Sequence, residues 1–245
     1  MPKTVAIIPA RFKSSRFPGK VLADIAGKSL LRRTYEQVSQ AKLLTQVIVA
    51  ADDLAVARHA EEFGAQVVMT DPFLPSGTHR VAAAVHHLQL QAEIIVNVQV
   101  DVPCLDPAIV DDLVTCLHQN PDALISTPVT PLSDPEEIHN SSVVKCVFDR
   151  TGRALYFSRA TIPYLRHPHL PHCYYGHLGV YCFRKHALQD FAAMEQTTLQ
   201  QVEDLEQLKI LEHGGHIQVC IVNSTLATVD TPEDVKKAEA LLCQV

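Results

Sequence analysis

Short β-branched runs alternate with helix-period segments through the first half of the chain, and that alternation predicts an α/β fold with a parallel sheet covered by helices. Residues 5–8 are continuous apolar β-formers, as an interior parallel strand requires. Further runs stand at 46–51, 66–70 and 93–99. Between them Leu30, Leu31, Tyr35 and Val38 keep helical spacing, as do 54–63, 79–90 and 109–118.

The second half is richer in strands, with β-rich runs at 123–129, 143–149, 154–159, 178–184 and 217–222. Asp149-Arg150-Thr151-Gly152 is a turn signal that suits a hairpin between 143–148 and 154–157, with mixed or antiparallel pairing and a projecting arm. Helices are expected at 204–213 and 232–243. Thr231 caps the last one, Pro232 takes its first position, and Glu233 and Asp234 sit in its positive first turn. No repeat or linker divides the chain, so one domain over 1–245 is expected.

Composition narrows the function classes. A net charge of −6 disfavours nucleic acid as a partner. No apolar stretch reaches the roughly 20 residues of a membrane helix, and the N-terminus carries no apolar signal segment, so a cytoplasmic protein is expected. Seven cysteines form no Cys-x-x-Cys pair, which fits a reducing compartment. Three histidines and a cysteine at 167–173 are broken by prolines and match no zinc spacing.

Directly behind the first strand, Arg11, Lys13, Arg16 and Lys20 crowd a short loop with the small residues Ala10, Ser14, Ser15 and Gly19. Pro9 is expected to end the ladder, because it has no N–H to donate. Cations and close backbone approach at the carboxyl end of a strand suit a polyphosphate. Two nucleotide fingerprints fail. Gly27-Lys28-Ser29 has Leu22 where a P-loop needs glycine, and Gly-x-Gly-x-x-Gly is absent. Nucleotidyl transfer remains, and it needs carboxylates for Mg²⁺. Asp101 and Asp230 each end an apolar run, although either one alone is an ordinary turn or cap residue.

These residues, with Val-Asn-Val-Gln-x-Asp-x-Pro at 96–103, Ser158-Arg159-Ala160-x-Ile162-Pro163, His177-Leu178-Gly179, Leu205-Glu206-Gln207-Leu208 and Val229-Asp230-Thr231-Pro232, resemble the 3-deoxy-manno-octulosonate (Kdo) cytidylyltransferase family across nearly the whole chain. The resemblance implies a Rossmann-like three-layer sandwich of the nucleotide-diphospho-sugar transferase type, with a mainly parallel mixed sheet and a smaller β-rich dimerisation arm. It further implies a Mg²⁺-dependent homodimer that joins CTP and Kdo into CMP-Kdo and pyrophosphate for lipopolysaccharide synthesis. Carried over by position, Lys20, Asp101 and Asp230 are catalytic and the two aspartates hold metal. Pro9, Ala10, Arg11, Ser14, Arg16, Lys20, Ser76, Gly77, Arg80 and Gln99 bind nucleotide. Arg159, His177, Tyr181, Glu206 and Gln207 bind the sugar acid, with His177 and Tyr181 read as sharing one strand face and Glu206 and Gln207 as helical.

The chain departs from the family pattern near the chemistry. Val100 and Val102 stand where relatives usually carry glycine and glutamate, and Pro75 replaces a glutamine linked to base recognition. A glycine at positive φ there would make Val100 strained. These departures keep three rivals in view: UTP as nucleotide, amino-Kdo or sialic acid as acceptor, and a catalytically weakened nucleotide-binding relative.

Overall fold

A computed structural model describes residues 3–13, 17–167, 169–224 and 228–242. The expectation of one domain meets a chain gathered into two compact units, Met1–Asp111 with Ala227–Val245, and Asp112–Leu226.

In the first unit four parallel strands stand in the order Gln66–Met69, Gln46–Ala51, Thr4–Ala10, Ile94–Val98. Thr4–Ala10 is buried along its whole length, as its run of β-formers requires. Pro9 does not end this strand, contrary to expectation. Pairing with Gln46–Ala51 continues through Pro9 and Ala10, while pairing with Ile94–Val98 stops at Ile7 and Asn97. Proline thus sits where only one neighbour continues the ladder, the position at which its missing N–H is tolerated.

Helices Leu30–Val38, Leu54–Glu62 and Gly77–His87 come after the sheet strands Thr4–Ala10, Gln46–Ala51 and Gln66–Met69 in turn, and each starts at a side-chain cap, from Ser29, Asp53 and Ser76. In the first of these Thr34, rather than Tyr35, is fully buried, because its hydroxyl is satisfied by donating towards the carbonyls of Leu30 and Val100. Gly27 belongs to a tight turn at φ 84° between the two-residue strands Asp24–Ile25 and Lys28–Ser29. Helix Pro232–Leu242 returns to this unit and buries Ala238 with Val229, Ile25 and Leu30.

In the second unit strand Ile125–Leu132 pairs in parallel with Ile217–Ile221 and antiparallel with both Tyr174–His177 and Val180–Arg184. The expected hairpin is present as Lys145–Phe148 and Ala154–Ser158, joined to the rest through Gly176 and Lys145. Its turn is built by Asp149, whose carboxylate accepts from the Thr151 and Arg153 amides at 2.8 and 3.0 Å. Short helices Pro135–His139, Lys185–Ala193 and Thr198–Glu203 were not foreseen.

The helix expected at 204–213 begins only at Leu208, as Leu208–Glu212. Asp204 takes a left-handed φ of 52° that closes the preceding helix, and Leu205 is buried, so Glu206 and Gln207 lie in the turn before the helix. Among the described residues no helix is long and apolar enough to cross a membrane.

Candidate active site

Two chain segments far apart in sequence are stitched together at the carboxyl end of strand Ile94–Val98. The amide of Val229 donates to the carbonyl of Asp101 at 2.9 Å. Asp234, at the third position of the last helix, accepts from the amides of Asp230 and Thr231 at 3.1 and 2.9 Å and from the Thr231 hydroxyl at 2.9 Å. This carboxylate clasp at the start of the helix holds Asp230 beside Asp101. Burial alone would raise the Asp234 pKa, but the Thr231 and Asp230 hydrogen bonds hold it below the usual carboxylate value.

Lys20 completes the cluster. Its ammonium lies 3.2 Å from a carboxylate oxygen of Asp101 and 3.2 Å from one of Asp230. Burial, aided by the like charge of Asp230, pushes the Asp101 pKa up, and Lys20 only partly opposes it. A quarter of the Asp101 side chain still reaches solvent. The main chain around Lys20 is held by turn bonds from its own amide to Phe17 and from Ala23 back to its carbonyl.

A cavity of about 290 Å³ opens above these three residues. Pro9 contributes from the end of strand Thr4–Ala10, Arg11 and Lys13 from the loop that follows it, Gly77 and Arg80 from the first turn of Gly77–His87, and Gln99 and Val100 from the segment before Asp101. Ala10 is buried in the strand behind it, and Ser76 caps the helix. Most of the residues expected to bind nucleotide are thus brought together around one cavity. Ser14 and Arg16 lie outside the described residues.

Gly77 leaves room here for Gln99 and Pro9. A Cβ on it would stand 2.9 Å from Gln99 Oε1 and 3.2 Å from Pro9 Cγ. Glycine lets this helix N-terminus, with its positive dipole end, line the cavity closely. Arg80 is almost fully buried and donates to Thr70 Oγ1 at 2.6 Å and towards Asp52 at 3.4 Å. Burial lowers the Arg80 pKa, with Asp52 opposing.

Asp52 was missed by the sequence reading, and Lys13, counted among the loop cations, was not carried into the nucleotide set. Asp52 accepts from the Phe12 amide at 2.8 Å and so anchors the basic loop as well as Arg80. An acid directly after strand Gln46–Ala51 is the same signal that pointed to Asp101 and Asp230. Arg11 donates to the carbonyl of Leu74 at 2.7 Å, tying the basic loop to the segment that carries Pro75. Val100 and Val102 are both buried. The described non-glycine residues with positive φ are Ala26, Gln89 and Asp204, so Val100 is not in the strained conformation its glycine counterpart could adopt.

The sugar-acid candidates form a second group, wholly within the second unit. His177 and Tyr181 are not on one continuous strand. From His177 opposite Val129 to Cys182 opposite Ser126 the chain advances five residues against three, a two-residue bulge that breaks the strand and re-aims both side chains. Their rings still meet, 5.5 Å between centroids.

Thr127, also missed, sits across from this bulge. Its hydroxyl donates to the carbonyl of Val180 at 2.8 Å and lies 2.8 Å from His177 Nε2. With the single hydroxyl proton used on Val180, Nε2 carries the imidazole hydrogen and Nδ1 is left as the acceptor. Burial drops the His177 pKa to about 3, so the ring is neutral. Tyr181 donates to Gln207 Oε1 at 3.2 Å, and the Gln207 amide nitrogen is buried without a hydrogen-bond partner among the described residues. Burial, then the charge of Glu206, raises the Tyr181 pKa well above its ordinary value.

Arg159 is occupied by main-chain carbonyls, donating to Glu203, Asp204 and Ser141 at 2.8, 3.2 and 3.2 Å. Its own amide donates to the Glu203 carboxylate at 2.9 Å. It therefore holds the loop that leads to Glu206 and Gln207. Among the described residues no group of three or more His, Cys, Asp or Glu side chains is assembled for a metal.

The sequence profile of the family described as Cytidylyltransferase matches residues 5–219. The chain is 48% identical over 240 residues to the 3-deoxy-manno-octulosonate cytidylyltransferase of Chlamydia caviae, covering 98% of this chain and 94% of the relative. The chain belongs to the 3-deoxy-manno-octulosonate cytidylyltransferase family. The family member of Protochlamydia amoebophila is 47% identical over 244 residues, with 98% and 94% covered. Among solved structures, a CMP:2-keto-3-deoxy-manno-octonic acid synthetase complexed with CTP superposes with a TM-score of 0.93 at 36% identity, covering 99% of both chains. A cytidylyltransferase from Leptospira borgpetersenii shares the fold, with a TM-score of 0.67 at 16% identity over 100% of this chain and 88% of that one.

Proposed function

We propose that this protein transfers CMP from CTP to the anomeric hydroxyl of 3-deoxy-D-manno-octulosonate, giving CMP-Kdo and pyrophosphate. The observation that carries the reading is the meeting of Lys20, Asp101 and Asp230 in a cation-lined cavity, in a chain whose relatives at 47–48% identity bear this enzyme's name. Arg11, Lys13 and Lys20 supply charge for the phosphates, and the helix N-terminus at Gly77 adds amide donors. Gln99 and Ser76 offer hydrogen bonds to the nucleoside.

Asp101 and Asp230 fit a divalent cation. Two hard carboxylates already share one positive charge in the ammonium of Lys20, and Mg²⁺ usually takes one or two protein carboxylates together with phosphate oxygens. When bound, Mg²⁺ supplies charge stabilisation for the phosphate oxygens. In the reaction the sugar oxygen forms a bond to the α-phosphorus as the bond to pyrophosphate breaks, with in-line geometry favoured for such transfers.

For the acceptor, a neutral His177 with Nδ1 free to accept and Gln207 with an unmet amide donor suit a polyhydroxylated acid sugar. Glu206 adds an acceptor, Tyr181 orients Gln207, and Arg159 secures the loop. A single nucleotidyltransferase domain acting as a cytoplasmic homodimer, with the hairpin as its dimerisation arm, completes the proposal. The test is pyrophosphate release from purified protein with CTP, Mg²⁺ and Kdo, with UTP and sialic acid as alternatives. Turnover requiring CTP and Kdo supports the reading. Binding without turnover would assign a weakened relative, and turnover with UTP would move the nucleotide assignment.

A further inference from the structure

We propose that Lys20 is a placeholder cation, which keeps Asp101 and Asp230 paired until substrate arrives and bars a divalent ion from entering before the nucleotide. The inference rests on the metal reading above and goes beyond it to the order of binding. Its basis is the symmetrical placement of one ammonium, 3.2 Å from each carboxylate, in the position that a shared cation would claim. Without it two carboxylates would face each other where three quarters of the Asp101 side chain is buried.

The main chain of Lys20 is pinned by its turn, whereas its four-carbon stem is flexible. Exchange therefore needs a swing of the side chain alone. Lys20 lines the same cavity as Arg11 and Lys13, so a triphosphate drawn in by those cations arrives within reach of the ammonium. Turning to the phosphates frees both carboxylates at the moment when phosphate oxygens become available as further ligands. Metal and nucleotide binding are thereby coupled, and by linkage the coupling is reciprocal.

Manganese is the probe, read by water-proton relaxation enhancement, which separates protein-held Mn²⁺ from Mn²⁺ on free CTP. The wild-type protein should bind Mn²⁺ weakly alone and tightly with CTP. Lys20→Met should bind Mn²⁺ alone at least about tenfold more tightly than wild type does, the effect of removing one adjacent like charge. It should also melt at a lower temperature than wild type in EDTA and recover when Mn²⁺ is added.

If the variant binds Mn²⁺ alone no more tightly than wild type, while wild type binds it with CTP, the placeholder role is wrong and the metal reading stands. Absence of protein-held Mn²⁺ in every mixture would overturn the metal reading itself. Should Lys20→Met fail to fold, wild type decides: equal Mn²⁺ affinity with and without CTP overturns the proposal.

Discussion

The amide of Val229 donates to the carbonyl of Asp101 at 2.9 Å, and this one backbone bond sets two carboxylates, distant in sequence, against the same lysine. The position of Asp230 is thus set by main chain and by the Asp234 cap rather than by its own charge. Asp101→Asn and Asp230→Asn should each keep the fold, since neither empties a core. Each should lower turnover by more than about 10²-fold, the scale at which a lost electrostatic contact in a transition state is felt. Pyrophosphate release and thermal melting check the pair. Full activity in either variant would remove that residue from the site.

Gly77→Ala tests the close approach of the helix to Gln99. The added methyl collides with the far end of a flexible side chain, so stability should change by less than about 1 kcal/mol. The displaced Gln99 should raise KM for CTP several-fold while KM for Kdo is unchanged. An unaltered KM for CTP would show that Gln99 does not touch the nucleotide.

His177 predicts a stability that depends on pH. Its folded pKa of about 3 lies below the usual histidine value, so the unfolded chain binds the extra proton between the two. Stability from this group is complete above the unfolded pKa, near 6.5, and is lost as pH falls towards 3, by up to ~1.4 kcal/mol per pH unit. Denaturant unfolding of wild type and His177→Gln at several pH values checks this. The variant should have the shallower slope, and equal slopes would contradict a buried neutral imidazole. Thr127→Val, which strands both Nε2–H and the Val180 carbonyl, should cost about 1–3 kcal/mol.

Val100→Gly separates an altered site from a lineage difference. Because Val100 is buried without positive φ, restoring glycine should destabilise the protein by about 1–3 kcal/mol through lost packing and added chain entropy. It should leave kcat/KM for CTP within about twofold. A large gain in activity would mean that the valine crowds the nucleotide.

Much of the cation-lined cavity was legible because its residues follow one rule, standing where an apolar run stops at the rim of a parallel sheet. Asp101 and Asp230 obeyed it together, and Asp52 obeyed it unnoticed because its neighbour Asp53, as helix cap, gave the segment an ordinary role. The first-half strands and helices were likewise readable from period alone. Less was legible around the sugar-acid group. The bulge between His177 and Cys182 depends on register with Ser126 and Val129, which no local pattern records. Asp204 adopts a left-handed turn inside a run of good helix formers, so helical spacing at 204–213 misled. Arg159 could be picked out as a cation, but its carbonyl partners at 141, 203 and 204 depend on tertiary placement.

The most direct test is anomalous diffraction from crystals grown with Mn²⁺ and CTP. The account predicts a manganese peak held by the carboxylates of both Asp101 and Asp230, with the triphosphate against Arg11 and the Lys20 ammonium turned towards it. A peak held elsewhere, or a triphosphate bound with Lys20 still bridging the two aspartates, would contradict it.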